Sequence, residues 1–221
     1  MARLTLDPVA AERFIRRHTV IASPPIVAEI SLYLATEITP IWQATEAELA
    51  AAEVPPPFWA FAWAGGQALA RHVLDHPELV AGKRVLDFGS GSGLCGIAAA
   101  MAGAVSVRAV DIDPIACTVI AINAGLNGVV LEIEAADIIG GETRADLILV
   151  GDMCYEKPLA MRLLAWLRQA VAAGALVLLG DPGRNYSPAE GVEEIARYSV
   201  PTSLELEDRT ERSAAVWLLL P

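Results

Sequence analysis

Cysteine is scarce in this sequence, and the three cysteines that are present do not follow a metal-binding pattern. Cys95, Cys117 and Cys154 form neither a C-x-x-C pair nor a cysteine–histidine cluster. This spacing argues against a disulfide framework and against the common zinc sites, so we expect no metal. Each cysteine has apolar neighbours in the sequence, and we therefore expect buried, reduced thiols.

Basic residues are also scarce. The chain has 16 lysine and arginine residues against 27 aspartate and glutamate residues, which gives a net charge of −11. Because binding to a nucleic acid backbone requires a basic surface, we expect no nucleic acid partner. An acidic surface can steer a basic protein substrate, but it can equally serve only to keep the protein in solution.

Long apolar runs are absent as well. No run reaches the ~18 residues that are needed to span a bilayer, and residues 1–8 lack the apolar stretch of a signal peptide. We therefore expect a cytoplasmic protein without a membrane partner. The 221 residues, 54 % of them hydrophobic, are enough for one α/β domain with a sizeable core and a modest N-terminal extension.

Apolar runs alternate with helical segments over most of the chain. The predicted strands are 85–88, 105–110, 130–133, 147–150 and 175–179, and the helices between them are 94–102, 114–126 and 158–172. This alternation predicts a mostly parallel sheet that is covered by helices on both faces. Ligands of such sheets bind beyond the carboxyl ends of the strands.

The two ends of the chain read differently from the middle. At the N-terminal end we predict a helix over Pro8–Arg17, with Val9, Phe14 and Ile15 in the core, a strand over Ile30–Leu34 and a helix over Ile41–Ala52. At the C-terminal end we predict a helix and then two strands that close the sheet as an antiparallel hairpin. These three elements are Ala189–Ala196, Tyr198–Leu206 and Ala214–Leu220.

A glycine turn follows the first parallel strand and predicts a ligand site. The segment has the form D-x-G-x-G-x-G, with Asp87 at the strand end and Gly89, Ser90, Gly91 and Gly93 in the turn. Glycine has no Cβ and tolerates positive φ, so main-chain N–H groups can approach a ligand closely. The helix that follows adds free N–H groups and the positive end of its dipole.

Two ligand classes compete for this turn. Gly91, Gly93 and Gly96 match the dinucleotide pattern G-x-G-x-x-G, and Asp111 stands 20 residues after Gly91, as that pattern expects. A carboxylate at Asp87 would repel a pyrophosphate, however, whereas it can face the positive amino acid end of S-adenosylmethionine (SAM). We therefore favour SAM over a nicotinamide or flavin cofactor.

Acidic residues follow the next strands, at the edge where ligands bind. Asp111, with Ile112 beside it, is placed to accept hydrogen bonds from a ribose diol. Asp113 precedes a proline and is predicted to cap the helix that follows. Asp137 and Ile138 offer an acceptor and an apolar neighbour to an adenine ring, although a surface turn gives the same pattern.

Four aromatic residues fall within six positions of a chain that is only 6 % aromatic. They are Phe58, Trp59, Phe61 and Trp63, and strand alternation would put the last three on one face. A packed edge strand explains the pattern. An aromatic wall beside the cationic sulfonium of SAM explains it too, because the cation would be attracted to a ring face. We take Trp63 as the best candidate for that contact.

Five segments taken together resemble the electron-transfer-flavoprotein β-subunit lysine methyltransferases, which are seven-stranded SAM-dependent protein methyltransferases. The segments are Trp63–Leu69, Val85–Gly93, Asp111–Ala116, Gly151–Tyr155 and Gly180–Arg184. The glycine turn is shared by many unrelated methyltransferases, whereas the Trp-x-Gly-Gly-Gln, Asp-x-x-Tyr and Gly-Asp-Pro-Gly-Arg segments are selective. A more distant similarity is to the methyltransferases of ribosomal proteins.

The resemblance implies a fold, an activity and a substrate. The fold is the Rossmann-like class I methyltransferase fold, with residues 1–57 as an N-terminal extension or substrate-side cap and 58–221 as the catalytic domain. The activity is methyl transfer from SAM to a protein lysine, with S-adenosylhomocysteine as product. The substrate is the electron transfer flavoprotein β subunit, or also a ribosomal protein, and we expect the enzyme to be a monomer. A small-molecule N- or O-methyltransferase is the alternative.

The resemblance also implies that Asp152 and Tyr155 flank the methyl acceptor, with Asp152 bordering SAM as well. A free lysine has a pKa of ~10.4 and must lose its proton before it attacks. Asp152 can hold the ammonium group and then orient the amine, while Tyr155 packs on the alkyl chain. The alternative role of Asp152 is a helix cap. Arg184 is either a surface cation or a partner of Asp181 or of the substrate, and the sequence does not decide between them.

Overall fold

Seven strands build the central sheet in a computed structural model of the protein, which describes residues 7–36, 40–41, 56–204 and 209–221. These strands are β3 (Arg84–Phe88), β4 (Ser106–Asp111), β5 (Glu132–Ala135), β6 (Leu147–Gly151), β7 (Leu176–Asp181), β8 (Val192–Pro201) and β9 (Glu211–Leu219). The helices are α1 (Pro8–His18), α2 (Ala64–Asp75), α3 (Leu94–Met101), α4 (Pro114–Leu126) and α5 (Lys157–Ala172). A separate two-stranded sheet pairs β1 (Val20–Ala22) with β2 (Leu32–Leu34).

The order of the strands in the sheet is β5-β4-β3-β6-β7-β9-β8. The first five strands pair in parallel, whereas β9 runs antiparallel to both β7 and β8. The chain goes outward from β3 to β5 and then returns to β6 on the other side of β3. This reversal of strand order lies between β3 and β6, which is where open α/β sheets bind their ligands.

Successive residues of the central strands point to opposite faces of the sheet and are buried in two different apolar layers. On one face, Val85 and Leu147 pack with residues of α2 and α3. On the other face, Leu86 and Ile148 pack with residues of α5 such as Trp166. The sheet is therefore covered on both faces, as the alternation of strands and helices predicted.

Most of the predicted elements are confirmed, but the C-terminal region differs. The predicted helix over Ala189–Ala196 is wrong, because β8 starts at Val192 and pairs along its length with β9. Glutamate and alanine favour a helix locally, and pairing with a neighbouring strand overrides that weak preference. The closing antiparallel hairpin itself is confirmed.

The N-terminal residues pack against α4. Phe14 and Ile15 are buried as predicted, but Val9 is 62 % exposed, which corrects its assignment to the core. The side chain of Asn123 accepts a hydrogen bond from the Tyr33 N–H at 2.9 Å and so attaches β2 to α4. The predicted helix over Ile41–Ala52 lies outside the described residues apart from its first residue.

Among the residues described, no helix combines the length and the apolarity that crossing a bilayer requires.

Candidate active site

A cavity of about 590 Å³ opens at the carboxyl ends of the central parallel strands. This volume lies within the usual range of small-molecule sites. The predicted site residues in its wall are Trp63, Asp87, Gly89, Ser90, Gly91, Asp111, Ile112, Asp137, Asp152 and Tyr155. Two predicted residues, Gly93 and Ile138, lie behind the wall instead of in it.

The glycine turn forms the floor between β3 and α3. Gly89 and Gly91 have φ angles of 64° and 54°, which favour glycine. A Cβ at position 89 would also overlap the side chain of Met153. The N–H of Gly89 donates to the Val110 carbonyl at 2.9 Å, which ties the turn to β4. Gly93 precedes α3 as its N-cap, and a Cβ at this position would meet Ile120 and Ile97.

Asp87 carries a buried negative charge at the base of this turn. Asp87 is only 2 % exposed. Its Oδ2 accepts a hydrogen bond from Ser90 Oγ at 2.5 Å and another from the Gly96 N–H at 2.8 Å. Burial raises the pKa of Asp87 to about 6, although both hydrogen bonds oppose that rise. No cationic side chain within the described ranges pairs with it. A cationic group of a ligand would therefore complete its environment.

Asp111 lies on the adjacent wall, at the end of β4. Its Oδ2 accepts from the Gly91 N–H and its Oδ1 from the Asp113 N–H, both at 2.9 Å. Burial raises the pKa of Asp111. Each oxygen retains a lone pair that can accept from a hydroxyl group. Asp113 accepts from the Ile115 N–H at 2.8 Å and caps α4, as the sequence predicted.

Asp137 marks the far side of the cavity, after β5. Its Oδ2 accepts from Arg162 Nη2 at 2.8 Å, and this pair lowers the pKa of Asp137. Its Oδ1 accepts from the Ile139 N–H at 3.1 Å, which closes a tight turn. Ile138 and Ile139 both pack against the apolar layer beside α5, but of the two Ile139 lines the cavity.

The aromatic segment is a short 3₁₀ helix that leads into α2, and so it is not an edge strand. Trp59 is buried against Phe14, with ring centroids 6.4 Å apart. Trp63 lines the cavity, and its Nε1 donates to the Phe58 carbonyl at 2.9 Å. Tyr155 is 43 % exposed and its ring centroid lies 5.6 Å from that of Phe58. The predicted aromatic residues thus form one edge of the cavity.

Asp152 is held rigidly where β6 ends. It is the one residue other than glycine with a positive φ, 56°, in the part of the chain that the structure describes. Its Oδ2 accepts from the Gly66 N–H at 2.8 Å, and its own N–H donates to the Gly180 carbonyl at 2.9 Å. Burial raises its pKa to about 6 despite the opposing charge of Arg184, and neighbouring Asp181 adds to the rise. Helix α5 is capped by Glu156, so Asp152 is not a helix cap.

Arg184 also lines the cavity, and its contacts are those that the sequence left open. Its Nη2 and Nε donate to Asp152 Oδ1 at 2.8 Å and 3.2 Å. Its guanidinium carbon lies 5.4 Å from the centroid of the Trp63 ring. Its backbone N–H donates to Asp181 Oδ1 at 2.6 Å. Asp152 follows β6 and Arg184 follows the adjacent strand β7, so the sequence indicates that their loops are neighbours. It does not indicate which side chains of the two loops are in contact.

Comparisons with known proteins agree on the kind of protein. The ribosomal protein L11 methyltransferase (PrmA) family model matches residues 68–154. The electron transfer flavoprotein beta subunit lysine methyltransferase of Xenopus laevis is 39 % identical over 218 residues, which cover 94 % of this chain and 86 % of that protein. The Homo sapiens protein of the same name is 37 % identical over 227 residues, which cover 98 % and 84 %.

A solved structure supports the fold independently. The magnesium protoporphyrin IX methyltransferase of Synechocystis PCC 6803, determined with bound SAM, aligns with a TM-score of 0.51 at 17 % identity. The alignment covers 69 % of this chain and 78 % of that one. At such low identity the likeness concerns the fold alone, and it confirms the class I methyltransferase fold.

Proposed function

This chain belongs to the family of the electron transfer flavoprotein beta subunit lysine methyltransferases, and we propose that it transfers methyl groups from SAM to lysine side chains of that subunit. It is accordingly a SAM-dependent methyltransferase. The observation that carries the lysine assignment is Asp152, a buried carboxylate on the wall of the cavity beside an aromatic edge. A lysine presents an ammonium group on an apolar chain, and these two features complement it.

We propose that the predicted cofactor residues bind SAM along the carboxyl ends of β3, β4 and β5. The glycine turn fits such a ligand, because Gly89 leaves no room for a Cβ and keeps its backbone exposed to the cavity. Asp87 faces the ammonium end of SAM, Asp111 accepts from the ribose hydroxyls, and Asp137 accepts from the adenine amino group. Trp63 lies beside the sulfonium. When bound, SAM supplies an electrophilic methyl group.

Asp152 and Tyr155 act on the acceptor in this proposal. Asp152 binds the lysine ammonium and, after the proton has left, accepts a hydrogen bond that aims the lone pair of the amine. Its pKa of about 6 narrows the gap to the lysine ammonium compared with an ordinary aspartate. Burial raises the pKa of Tyr155, so its hydroxyl stays protonated and is no base at neutral pH. Much of the catalysis then comes from positioning the two reacting groups.

We further propose that residues 1–57 form a cap beside the substrate and that residues 58–221 form the catalytic domain. The support is that α1 packs through Phe14 and Ile15 against the aromatic segment that lines the cavity. A second protein substrate, a ribosomal protein, is supported by the match of residues 68–154 to the ribosomal protein L11 methyltransferase model. The enzyme is proposed to act as a monomer in the cytoplasm.

The test is a transfer assay with methyl-labelled SAM, run first on the recombinant electron transfer flavoprotein β subunit and then in a cell lysate that also contains ribosomal proteins and small molecules, followed by mass spectrometry of the labelled products. We expect label on lysine. Asp152→Asn should retain SAM binding but reduce transfer by orders of magnitude, and Asp111→Ala should weaken SAM binding. Asp146→Asn, at the opposite end of β6, is the matched control and should transfer normally.

Three outcomes would contradict parts of this proposal. Label on a ribosomal protein instead would replace the substrate but keep the lysine chemistry. Label only on small molecules would establish the small-molecule methyltransferase in its place. Full transfer by Asp152→Asn would remove Asp152 from the mechanism.

A further inference from the structure

The side chain of Arg184 lies where the methyl acceptor is proposed to bind. Its Nη2 lies 2.8 Å from Asp152 Oδ1, the carboxylate oxygen that is not held by the Gly66 backbone. The same guanidinium group lies over the ring of Trp63, with its central carbon 5.4 Å from the ring centroid. A substrate ammonium that paired with Asp152 beside the aromatic edge would need this same position.

The Asp152 carboxylate offers one oxygen, Oδ1, to a cation, because its Oδ2 accepts from the Gly66 N–H. Asp152 is 9 % exposed and has only Arg184 as a cationic partner in the ion pairs of the described residues. An incoming ammonium group that binds Oδ1 must therefore take the place of the guanidinium group, and this exchange keeps the local charge constant beside Asp152 and the neighbouring Asp181. A guanidinium group also remains protonated at any physiological pH and therefore does not attack a methyl group itself.

The loop that carries Arg184 allows its side chain to leave without refolding. The Arg184 N–H is fixed to Asp181 Oδ1 at 2.6 Å, and Ser187 Oγ donates to the same oxygen at 2.7 Å. The backbone is thus anchored from both sides of the loop. The Arg184 side chain is 20 % exposed, so rotation about its own bonds is enough to move the guanidinium into solvent.

We propose that Arg184 occupies the acceptor-amine subsite in the free enzyme and is displaced when the substrate lysine enters. This inference rests on the proposed function, because it takes Asp152 as the residue that binds the acceptor. It makes Arg184 a specificity residue, because a substrate must present a cation that competes with Arg184 for Asp152. An uncharged group cannot form the ion pair with Asp152 that would replace the one with Arg184. Methyl transfer to neutral small molecules is thereby suppressed.

The decisive experiment replaces the Arg184 guanidinium group by an amine that can accept a methyl group. In Arg184→Lys the terminal nitrogen falls at about the position of the guanidinium carbon, within the ~6 Å range of a contact with the Trp63 ring. The lysine at position 184 loses a proton to Asp152 or water. Its lone pair then forms the N–CH₃ bond, the S–CH₃ bond breaks with its electron pair going to sulfur, and S-adenosylhomocysteine leaves. We expect the purified variant to gain 14 Da or multiples of it at residue 184 when incubated with SAM alone.

Arg162→Lys is the matched control, since Arg162 also lines the cavity but pairs with Asp137. Strand β5, which precedes Asp137, lies three strands from β6, so this end is roughly 14 Å from Asp152 at the usual spacing. It should remain unmethylated. SAM binding by both variants is measured by thermal shift. An unmethylated residue 184 in a variant that binds SAM like the wild type would overturn the proposal.

A second variant tests the displacement and separates it from the proposed function. In Arg184→Ala the competing cation is absent, and KM for the flavoprotein β subunit should fall by at least about fivefold, the factor that the cation–π contact with Trp63 alone would give, because the ion pair with Asp152 adds to the competition. A fall in kcat with unchanged KM would instead make Arg184 a permanent support of Asp152 and would refute displacement. If the wild type fails on the β subunit while residue 184 is methylated in Arg184→Lys, the substrate assignment fails and the subsite stands.

Discussion

Replacing Asp87 by asparagine should make the unliganded protein more stable at neutral pH while it weakens the binding of SAM. Both hydrogen bonds to the Asp87 side chain, from Ser90 and Gly96, go to Oδ2. An asparagine carbonyl oxygen in that place accepts both of them. The substitution therefore removes a buried charge and keeps both existing donors paired, while an NH2 group takes the place of Oδ1.

The size of the effect follows from the pKa of Asp87. Burial raises it from 3.8 to about 6, so the folded state binds a proton more tightly than the unfolded state. The sign is then fixed: this carboxyl has no effect on stability below pH 3.8 and lowers stability increasingly as the pH rises to 6. Above pH 6 the full shift corresponds to about 3 kcal/mol. This value already includes the two hydrogen bonds, and burial of the new NH2 group offsets part of it, so we expect a net gain of about 1–3 kcal/mol at pH 7.5.

The assay is urea unfolding of wild type and Asp87→Asn at pH 7.5 and at pH 4, with SAM binding followed by thermal shift. The gain in the free energy of unfolding should be present at pH 7.5 and nearly absent at pH 4. Asp146→Asn is a control of opposite sign, because the ion pair with Arg84 lowers the pKa of Asp146 and its removal should destabilise the protein at pH 7.5. A loss of stability in Asp87→Asn at pH 7.5, or a difference that does not change with pH, would refute the reasoning.

Three further outcomes are expected. Methyl transfer should decline as the pH falls through about 6, because Asp152 then takes up a proton, and a kcat/KM profile without a limb there would exclude this role. Asn123→Ala should cost about 1–3 kcal/mol in urea unfolding, because it leaves a backbone N–H of β2 without its acceptor. Gly65→Ala should destabilise strongly in a thermal melt, because its Cβ would overlap the Gly180 carbonyl and lie 2.6 Å from the Asp152 carboxylate, whereas Gly66→Ala meets nothing within 4 Å and should melt like the wild type.

The part of the fold that the sequence predicts best is the part in which local pattern and tertiary structure agree. Helix α4 begins and ends where Asp113, Pro114 and the apolar spacing place it. Only the part of β8 from Tyr198 onward was predicted as a strand. Its first residues contain glutamate and alanine at a spacing that also suits a helix, and pairing with β9 decides the outcome. Strand β1 has three residues and no signal of its own. Pairing between distant segments is information that a local pattern does not contain.

The residues of the candidate site were likewise predicted only in part. The rule that ligands bind at the carboxyl ends of parallel strands correctly predicted that Asp87, Asp111 and Asp137 line one cavity. The rule concerns the backbone, however, and it does not fix how side chains turn. It therefore failed to separate Ile138 from Ile139 and gave no account of the pair between Arg184 and Asp152.

The two ends of the same strands show why the site lies where it does. At the amino ends, Arg84 begins β3 and pairs with Asp146 just before β6, and this exposed pair keeps the pKa of its carboxylate low. At the carboxyl ends, Asp87 and Asp152 are buried and their pKa values are raised to about 6. The ion pair at the amino ends adds to the stability of the fold, whereas the buried carboxylates Asp87 and Asp152 lower it at neutral pH, Asp152 even with Arg184 beside it. The edge of the sheet at which the carboxylates oppose folding is therefore the edge to which the proposed function brings cationic groups, those of SAM and of the acceptor lysine.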